Sequence, residues 1–480
     1  MLSAKMFLLW GLLFGVALLL ILNGCGGNGP SSLSQQQQSK IQHVVIIFQE
    51  NRSTDNLFHD TNLMAKGADI ASTALKSDGT TVPLTPSSLV TDYDLSHSHQ
   101  AFVSMYDGGK MDGADQIEIH CNMKESDCPS PTAWFHYAEP SEVAPYFQLA
   151  ETYVFGDRMF QTNQGPSFPA HQFIISGTSA PTPPGHPNSN YFESENMNYV
   201  PNSGSNPNAG CIALPGTTGA WIGPNGVEIN SSPAQYPCFE HPTLTDLLNA
   251  KSITWRYYGP GAGSIWTAPN AIQHMCGPNV PPPNATACTG SDWVNGVVIP
   301  QTGVLTDISN NQLPAVSWVI PDGQESDHAG INDGSGPSWV ASIVNAIGNS
   351  PYWSNTAIIL TWDDWGGWYD HVAPPAIINS YEYGFRVPLV VISPYAKAGY
   401  ISHTVYDFGS ILKFIEATFG LSTVAPNASP AYADALTGTG DLSDCFNLDQ
   451  TPLTFQTVQA PLDATHFLND KRKPLDPDDD

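Results

Sequence analysis

Two kinds of hydrophobic run alternate along this chain. Residues 41–48 (IQHVVIIF) are apolar almost without interruption, as expected of a strand buried on both faces of a parallel sheet, where polar alternation disappears. Residues 315–320, 356–361 and 387–392 read the same way. Between and beyond them, apolar residues recur every three or four positions over 141–151, 243–250, 338–347 and 406–419, the spacing of one helix face. Strands separated by helices predict an α/β fold, a three-layer sandwich around a mostly parallel central sheet. Stretches dense in Pro, Gly, Asn and Ser at about 181–237 and 259–300 predict long irregular loops that cap the strand ends.

The two ends depart from this pattern. Lys5 precedes an apolar run from Met6 to Leu22 that closes in Leu22, Asn23, Gly24 and Cys25. Residues 1–25 therefore read as a secretory signal. Its end resembles the bacterial lipobox, in which the Cys becomes a lipidated first residue, and a retained membrane anchor is the competing reading. Residues 26–40, rich in Gly, Ser and Gln, predict a flexible tether. Residues 426–480 form a carboxyl-terminal extension, with PLDPDDD as a disordered acidic tail. The expected location is outside the cytoplasm, periplasmic or at the cell surface, either lipid-anchored at Cys25 or secreted.

Charge and cysteines agree with export. The 16 Lys plus Arg stand against 44 Asp plus Glu, a formal net charge of -28, which disfavours nucleic acid as a partner. With Cys25 reserved for lipid, local spacing favours the pairs Cys121 with Cys128, Cys211 with Cys238 and Cys276 with Cys288, leaving Cys445 free, although spacing alone does not fix the connectivity.

Candidate chemistry gathers where strands end. The run at 356–361 leads into TWDDWGGWYDHVAPP, which sets Asp363, Asp364, Asp370 and His371 among three tryptophans. In an open α/β sheet, ligands bind beyond the strand carboxyl ends. Taken alone, this segment is better explained as a turn with an Asp capping a helix. Glu50 and Asn51 follow the first strand in FQENRSTDNLF, and in a parallel sheet they open on the same edge. Glu50, Asn51, Asp363 and Asp364 form an all-oxygen set suited to one divalent metal ion, with calcium, magnesium or manganese favoured over zinc. The plain alternative makes Glu50 and Asn51 helix caps and pairs Arg52 with Asp55. Ser167, in the turn Gly-Pro-Ser-Phe-Pro, is a nucleophile if a cation lies beside it and a helix N-cap otherwise. His97, His241 and His328 occupy polar or turn-rich segments suited to proton transfer or phosphate contact. His99 and His403 read as ordinary surface residues.

Taken in order, FQENRSTDNLF, HSH with DGGKMDGA, QGPSFPAHQFIISGTS, HPTLTDLL with ITWRYY, VSWVIPDGQESDH, TWDDWGGWYDHVAPP and GFRVPLVVISPYAKAGYISHTVYDFGSILKFIE resemble the bacterial phosphoesterase family of phospholipases C and acid phosphatases. The resemblance implies a catalytic domain over 41–425 and a fold similar to alkaline phosphatases and sulfatases. It also implies metal-assisted in-line displacement through a covalent phosphoryl-enzyme. By motif, Glu50, Asn51, Asp363, Asp364 and Ser167 fall on metal-binding positions, with Ser167 also the nucleophile. His97, His241 and His328 fall on the phosphate-contacting or acid histidines, the His241 match being the loosest. Asp327, Asp370 and His371 are expected to support the site from behind. Ser in place of the Thr common among the phospholipases, together with an end soon after the catalytic region, leans toward an acid phosphatase. A phospholipase C is the alternative, and a non-catalytic surface binding lipoprotein a more distant one. The expected substrate is a phosphate ester or phospholipid, with membrane attachment through the amino-terminal lipid or anchor.

Overall fold

A computed structural model describes residues 37–121, 132–180, 193–198, 208–222, 228–229, 235–375, 383–428 and 431–475. Its central sheet has eight strands: β1 (His43–Gln49), β2 (Val154–Gly156), β3 (Trp255–Tyr258), β4 (Val297–Val298), β5 (Val316–Val319), β6 (Thr356–Trp362), β7 (Leu389–Ile392) and β8 (Tyr400–Ser402). They lie in the order β4-β3-β5-β1-β6-β7-β2-β8. Only β7 runs antiparallel to its neighbours. The fold is thus α/β with a mainly parallel sheet. The apolar runs at 41–48, 315–320, 356–361 and 387–392 all became strands of its middle.

Seven helices matter for the site: α1 (His99–Tyr106), α2 (Ala144–Thr152), α3 (Ser167–Ser176), α4 (Leu244–Ala250), α5 (Gly303–Ser309), α6 (Gly336–Gly348) and α7 (Phe408–Phe419). Phe48 and Thr361 are register partners on β1 and β6, so they project to one face and Trp362, the next residue of β6, to the other. Phe48 packs edge-on against His171 of α3 and Phe408 of α7, whereas Trp362 packs against Tyr146 of α2. Helices therefore cover both faces, which is why the central strands carry no polar alternation.

The margins refine several expectations. Within 181–237, strands at Glu193–Asn198, Thr218–Ile222 and Glu228–Ile229 form a small antiparallel sheet, so that insertion is less irregular than its composition suggests. Disulfides join Cys211 to Cys238 and Cys276 to Cys288, and Cys445 is free and buried. Cys121 is disulfide-bonded, while Cys128 lies outside the described residues, as do Cys25 and the whole signal segment. Residues 37–40 of the expected tether form a helical turn, where Gln37 Nε2 donates to Thr418 Oγ1 at 2.7 Å. The carboxyl-terminal extension packs on the core, with Phe467 5.3 Å from the Trp339 ring and Leu475 O accepting from Gly323 N–H. Among the described residues no helix is long and apolar enough to cross a membrane.

Candidate active site

Strand register assembles the centre. In the parallel pair β1–β6, Gln49 lies opposite Trp362, and the ladder continues one step as Asp363 N–H donates to Gln49 O at 2.9 Å. Glu50 and Asp363 consequently leave the sheet side by side at its carboxyl edge. Asn51 then takes a left-handed backbone, φ 59, and its N–H donates to Asp363 Oδ1 at 2.9 Å. The second loop comes so close that a Cβ on Gly366 would sit 2.2 Å from Asn51 O. Only glycine fits there.

Ser167 opens α3. The helix is capped by Pro166 without a side-chain bond, and the Ser167 hydroxyl instead donates to Asp364 Oδ2 at 3.2 Å. The N-cap reading of this serine therefore fails. Asp364 Oδ1 accepts from Gly366 N–H at 2.7 Å. Glu50, Asn51, Asp363 and Asp364 are fully buried.

Burial first, and then the carboxylates of Asp363, Asp364 and Asp327, push the Glu50 carboxyl far above its usual range. Asp364 is raised by burial and by Asp363. The basic group facing them is His171 of α3, whose Nε2 lies 3.1 Å from Glu50 Oε1 and 3.9 Å from Asp363 Oδ2. Burial lowers that imidazole to about 4. Glu50 Oε2, Asn51 Oδ1 and Asp363 Oδ2 are buried with no hydrogen-bond partner among the described residues. Buried carboxylate oxygens left this way cost several kcal/mol each unless a cation meets them. The donor set thus fits a divalent cation: carboxylates from Glu50, Asp363 and Asp364, the Asn51 amide oxygen and the Ser167 hydroxyl.

The histidines sit beside this cluster. His97 Nδ1 donates to Leu95 O at 2.9 Å, leaving Nε2 to accept from Asn51 Nδ2 at 2.9 Å. The His328 ring is 5.5 Å from the His97 ring, and Nδ1 of His328 donates to Ala329 O at 2.7 Å. Ligating atoms of Asp94, His97 and His328 lie within 4.8 Å of one another. Trp266, from the 259–300 insertion, stands 6.2 Å from His171 and 6.0 Å from His328, and so walls the site. His241 is less closely engaged. Its Nδ1 donates to Pro242 O at 3.3 Å, its Nε2 is buried without a partner among the described residues, and burial lowers it to about 4. It joins the centre only indirectly, because Phe239 packs 6.1 Å from Phe168, the neighbour of Ser167.

The family model of the phosphoesterases matches residues 41–422. The chain belongs to the phosphoesterase family. Among curated relatives, phospholipase C B of Mycobacterium tuberculosis is 25% identical over 467 residues, covering 86% of this chain and 78% of the relative. The hemolytic phospholipase C of Pseudomonas aeruginosa is 24% identical over 444 residues, covering 81% of this chain and 54% of the relative. Among solved structures, a protein in the alkaline phosphatase superfamily from Vibrio parahaemolyticus aligns at 11% identity and a TM-score of 0.33, over 80% of this chain and 68% of that one. The chain is a hydrolase acting on phosphoric ester bonds.

Behind the Glu50–Asp363–Asp364 cluster lies a second charged layer. Arg386 donates through Nε to Asp370 Oδ1 at 2.9 Å and through one terminal nitrogen to Asp55 Oδ1 and Asp370 Oδ2, each at 3.1 Å. His371 places Nδ1 2.6 Å from Asp55 Oδ2 and Nε2 3.0 Å from Asp69 Oδ1. Asp370 and His371 therefore brace the loop that bears Asp363 and Asp364. Asp55 pairs with Arg386 and not with Arg52. The Arg52 guanidinium instead donates to Asp327 O at 2.7 Å and lies 4.7 Å from the Trp368 ring. Asp327 turns from His328: its Oδ2 accepts from Tyr146 OH at 2.8 Å and Trp362 Nε1 at 2.9 Å, tying α2 to β6. Burial raises it to about 6.

His403 is a surface residue paired with Asp157, but His99 is buried, and its Nδ1 donates to Gln164 O at 2.9 Å. The serine turn is held by that bond, a constraint no local pattern announced. His171, Trp266 and Arg386 were also missed. For His171 a signal existed, since it follows Ser167 by four residues and must share its helix face.

Proposed function

We propose that this phosphoesterase hydrolyses phosphate esters through a phosphoserine at Ser167. Ser167 Oγ attacks phosphorus in line, its proton passing to Asp364 Oδ2, while the bond from phosphorus to the ester oxygen breaks. His328 gives a proton to the departing alkoxide, and His97 holds a phosphoryl oxygen, while His241, the loosest match, reaches the centre only through Phe239 and Phe168. Water then attacks the phosphoserine, and Ser167 recovers its proton as phosphate or a phosphorylated headgroup leaves. Position and charge stabilisation carry most of the rate. A divalent metal ion held by Glu50, Asn51, Ser167, Asp363 and Asp364 would neutralise phosphate oxygens and ease ionisation of the hydroxyl. The observation that carries this reading is the Ser167 hydroxyl at the amino end of α3, bonded to Asp364 within a donor-poor carboxylate cluster. A helix amino end also suits an anionic group.

Two substrate readings have support. The relatives named as phospholipases C favour a phospholipid headgroup, and Ser in the nucleophile turn favours a phosphomonoester. We further propose export with lipid attachment at Cys25, supported by the sequence of residues 1–25 and the disulfides of the insertions. Wild type and Ser167→Ala would be assayed on p-nitrophenyl phosphate and on phosphatidylcholine vesicles. Wild type is expected to turn over at least one, which decides between the readings, and the variant neither, with an unchanged circular-dichroism spectrum. Turnover by the variant at the wild-type rate would remove Ser167 from the mechanism.

A further inference from the structure

His171 is a buried imidazole whose two nitrogens can be assigned from their neighbours. Tyr257 OH lies 3.4 Å from His171 Nδ1, and its own proton is committed to Trp266 O at 2.6 Å. Ala268 N–H also donates to the Tyr257 oxygen, at 3.4 Å. The tyrosine therefore acts as acceptor toward His171, which places the imidazole proton on Nδ1 and leaves a lone pair on Nε2.

That lone pair faces two acidic side chains. Nε2 faces Glu50 Oε1 at 3.1 Å and Asp363 Oδ2 at 3.9 Å, and among the described residues it has no hydrogen-bond partner. Ionised carboxylates repel that electron pair, so a positive centre among the three atoms, a cation or a shared proton, is needed, and all three residues are fully buried. Water cannot screen them. The ring is also fixed in orientation, with Phe48 edge-on at 4.9 Å and Trp266 stacked at 6.2 Å. Donor atoms sharing one ion at about 2.0–2.2 Å must stand roughly 3–4 Å apart. The two separations from Nε2, 3.1 and 3.9 Å, fall in that range, and the three ligating atoms lie within 4.8 Å of one another.

We infer that His171 is a nitrogen ligand of the proposed cation site, and that with Glu50 and Asp363 it makes a mixed imidazole–carboxylate set preferring zinc, iron(II) or manganese over calcium and magnesium. The inference rests on the cation cage of the proposed function and changes its chemistry, since the residues singled out in the sequence offered oxygen alone. Imidazole shifts a site toward borderline metals. The Nδ1–H to Tyr257 bond is the outer hydrogen bond that metal-ligating histidines generally make.

Metal-free full-length wild type, His171→Gln and Asp363→Asn would be titrated calorimetrically with zinc, manganese and calcium. Cu²⁺-loaded samples would also be examined by electron paramagnetic resonance for nitrogen coupling. Wild type is expected to bind zinc and manganese more tightly than calcium and to show nitrogen coupling. His171→Gln should lose the coupling and weaken zinc binding by more than the roughly 10–100-fold that loss of an outer partner costs, with calcium little changed. His171→Asn, shorter and still polar, guards against a folding artefact and should behave alike. Unchanged zinc affinity or surviving nitrogen coupling in both His171 variants, with Asp363→Asn unable to bind any metal, would overturn the role of His171 alone. Full metal binding by Asp363→Asn would overturn the cage itself.

Discussion

Asp55 and Asp370, behind the site, and Glu50, Asp363 and Asp364, within it, are equally buried, yet their charges are met in opposite ways. Around Asp55 and Asp370 the Arg386 guanidinium lies inside the protein with both carboxylates bonded to it, and His371 adds a second cation. Around Glu50 and Asp363 the nearest basic group is a histidine that burial keeps neutral. A cluster neutralised by the chain's own side chains is finished on folding, and it holds its loop in place. A cluster left with bare oxygens is a strained arrangement that a ligand completes. The difference marks scaffold and site more clearly than residue type does, because both clusters hold buried Asp side chains from the same fifteen-residue segment, 361–375, and each has a histidine beside them.

Removing Arg386 should give the largest change in stability. Arg386→Ala strands two buried carboxylates and is expected to destabilise the chain by about 3–5 kcal/mol in urea unfolding. A loss below about 1 kcal/mol would show that the two clusters are not differently neutralised.

Titration of the braced cluster comes next. Burial opposes charge on His371, but the Asp55 and Asp370 carboxylates override it and raise the imidazole to about 9 from an ordinary 6.5. Its stabilisation is therefore complete below the ordinary value and disappears as pH rises through about 9. The contribution is on the order of 2 kcal/mol. Asp55 resists burial through Arg386 and His371, so its carboxyl is lowered from 3.8; its share is present above that value and lost as pH falls below it. Unfolding free energy measured between pH 7 and 10 should decline near 9, and His371→Gln should flatten that decline. An unaltered slope in the variant would assign the alkaline loss elsewhere.

The smallest effect sharpens the contrast most. Asp363→Asn keeps an oxygen to accept from Asn51 N–H while removing one of the crowded charges. The metal-free variant should be more stable than metal-free wild type by on the order of 1 kcal/mol, whereas an equivalent change in the braced cluster, Asp370→Asn, should destabilise. If Asp363→Asn also destabilises the metal-free chain, the site cluster is not strained.

How much of this was legible in the sequence follows from segment length and burial. Strands β1 and β6 are seven-residue apolar runs, long enough to be distinctive, and their ends carried Glu50, Asn51, Asp363 and Asp364 into one place through register alone. Strands β2, β4 and β8 hold two or three residues each, too few to display a period. Helix α3 is buried on every side, so no solvated face marks it as a helix, and His171 was passed over beside Ser167. Asp370 and His371 were expected to support the site from behind, but nothing in their own segment announced the bonds they make to Arg386, Asp55 and Asp69. Arg386 lies fifteen residues beyond His371, in a segment whose apolar run drew attention as a strand. His99 was misread because a histidine beside Ser98 and Gln100 looks solvent-facing, and only the fold brings Gln164 O against it.

The central claim is that Ser167 carries the phosphoryl group. Wild-type protein mixed with an excess of phosphate ester, quenched in acid within a single turnover and digested for mass spectrometry, tests it most directly, because phosphoserine survives acid. One phosphoryl group is expected, on Ser167, present early and gone once substrate is exhausted. Turnover without any phosphoserine, or phosphorylation at another residue with Ser167 unmodified, would contradict it.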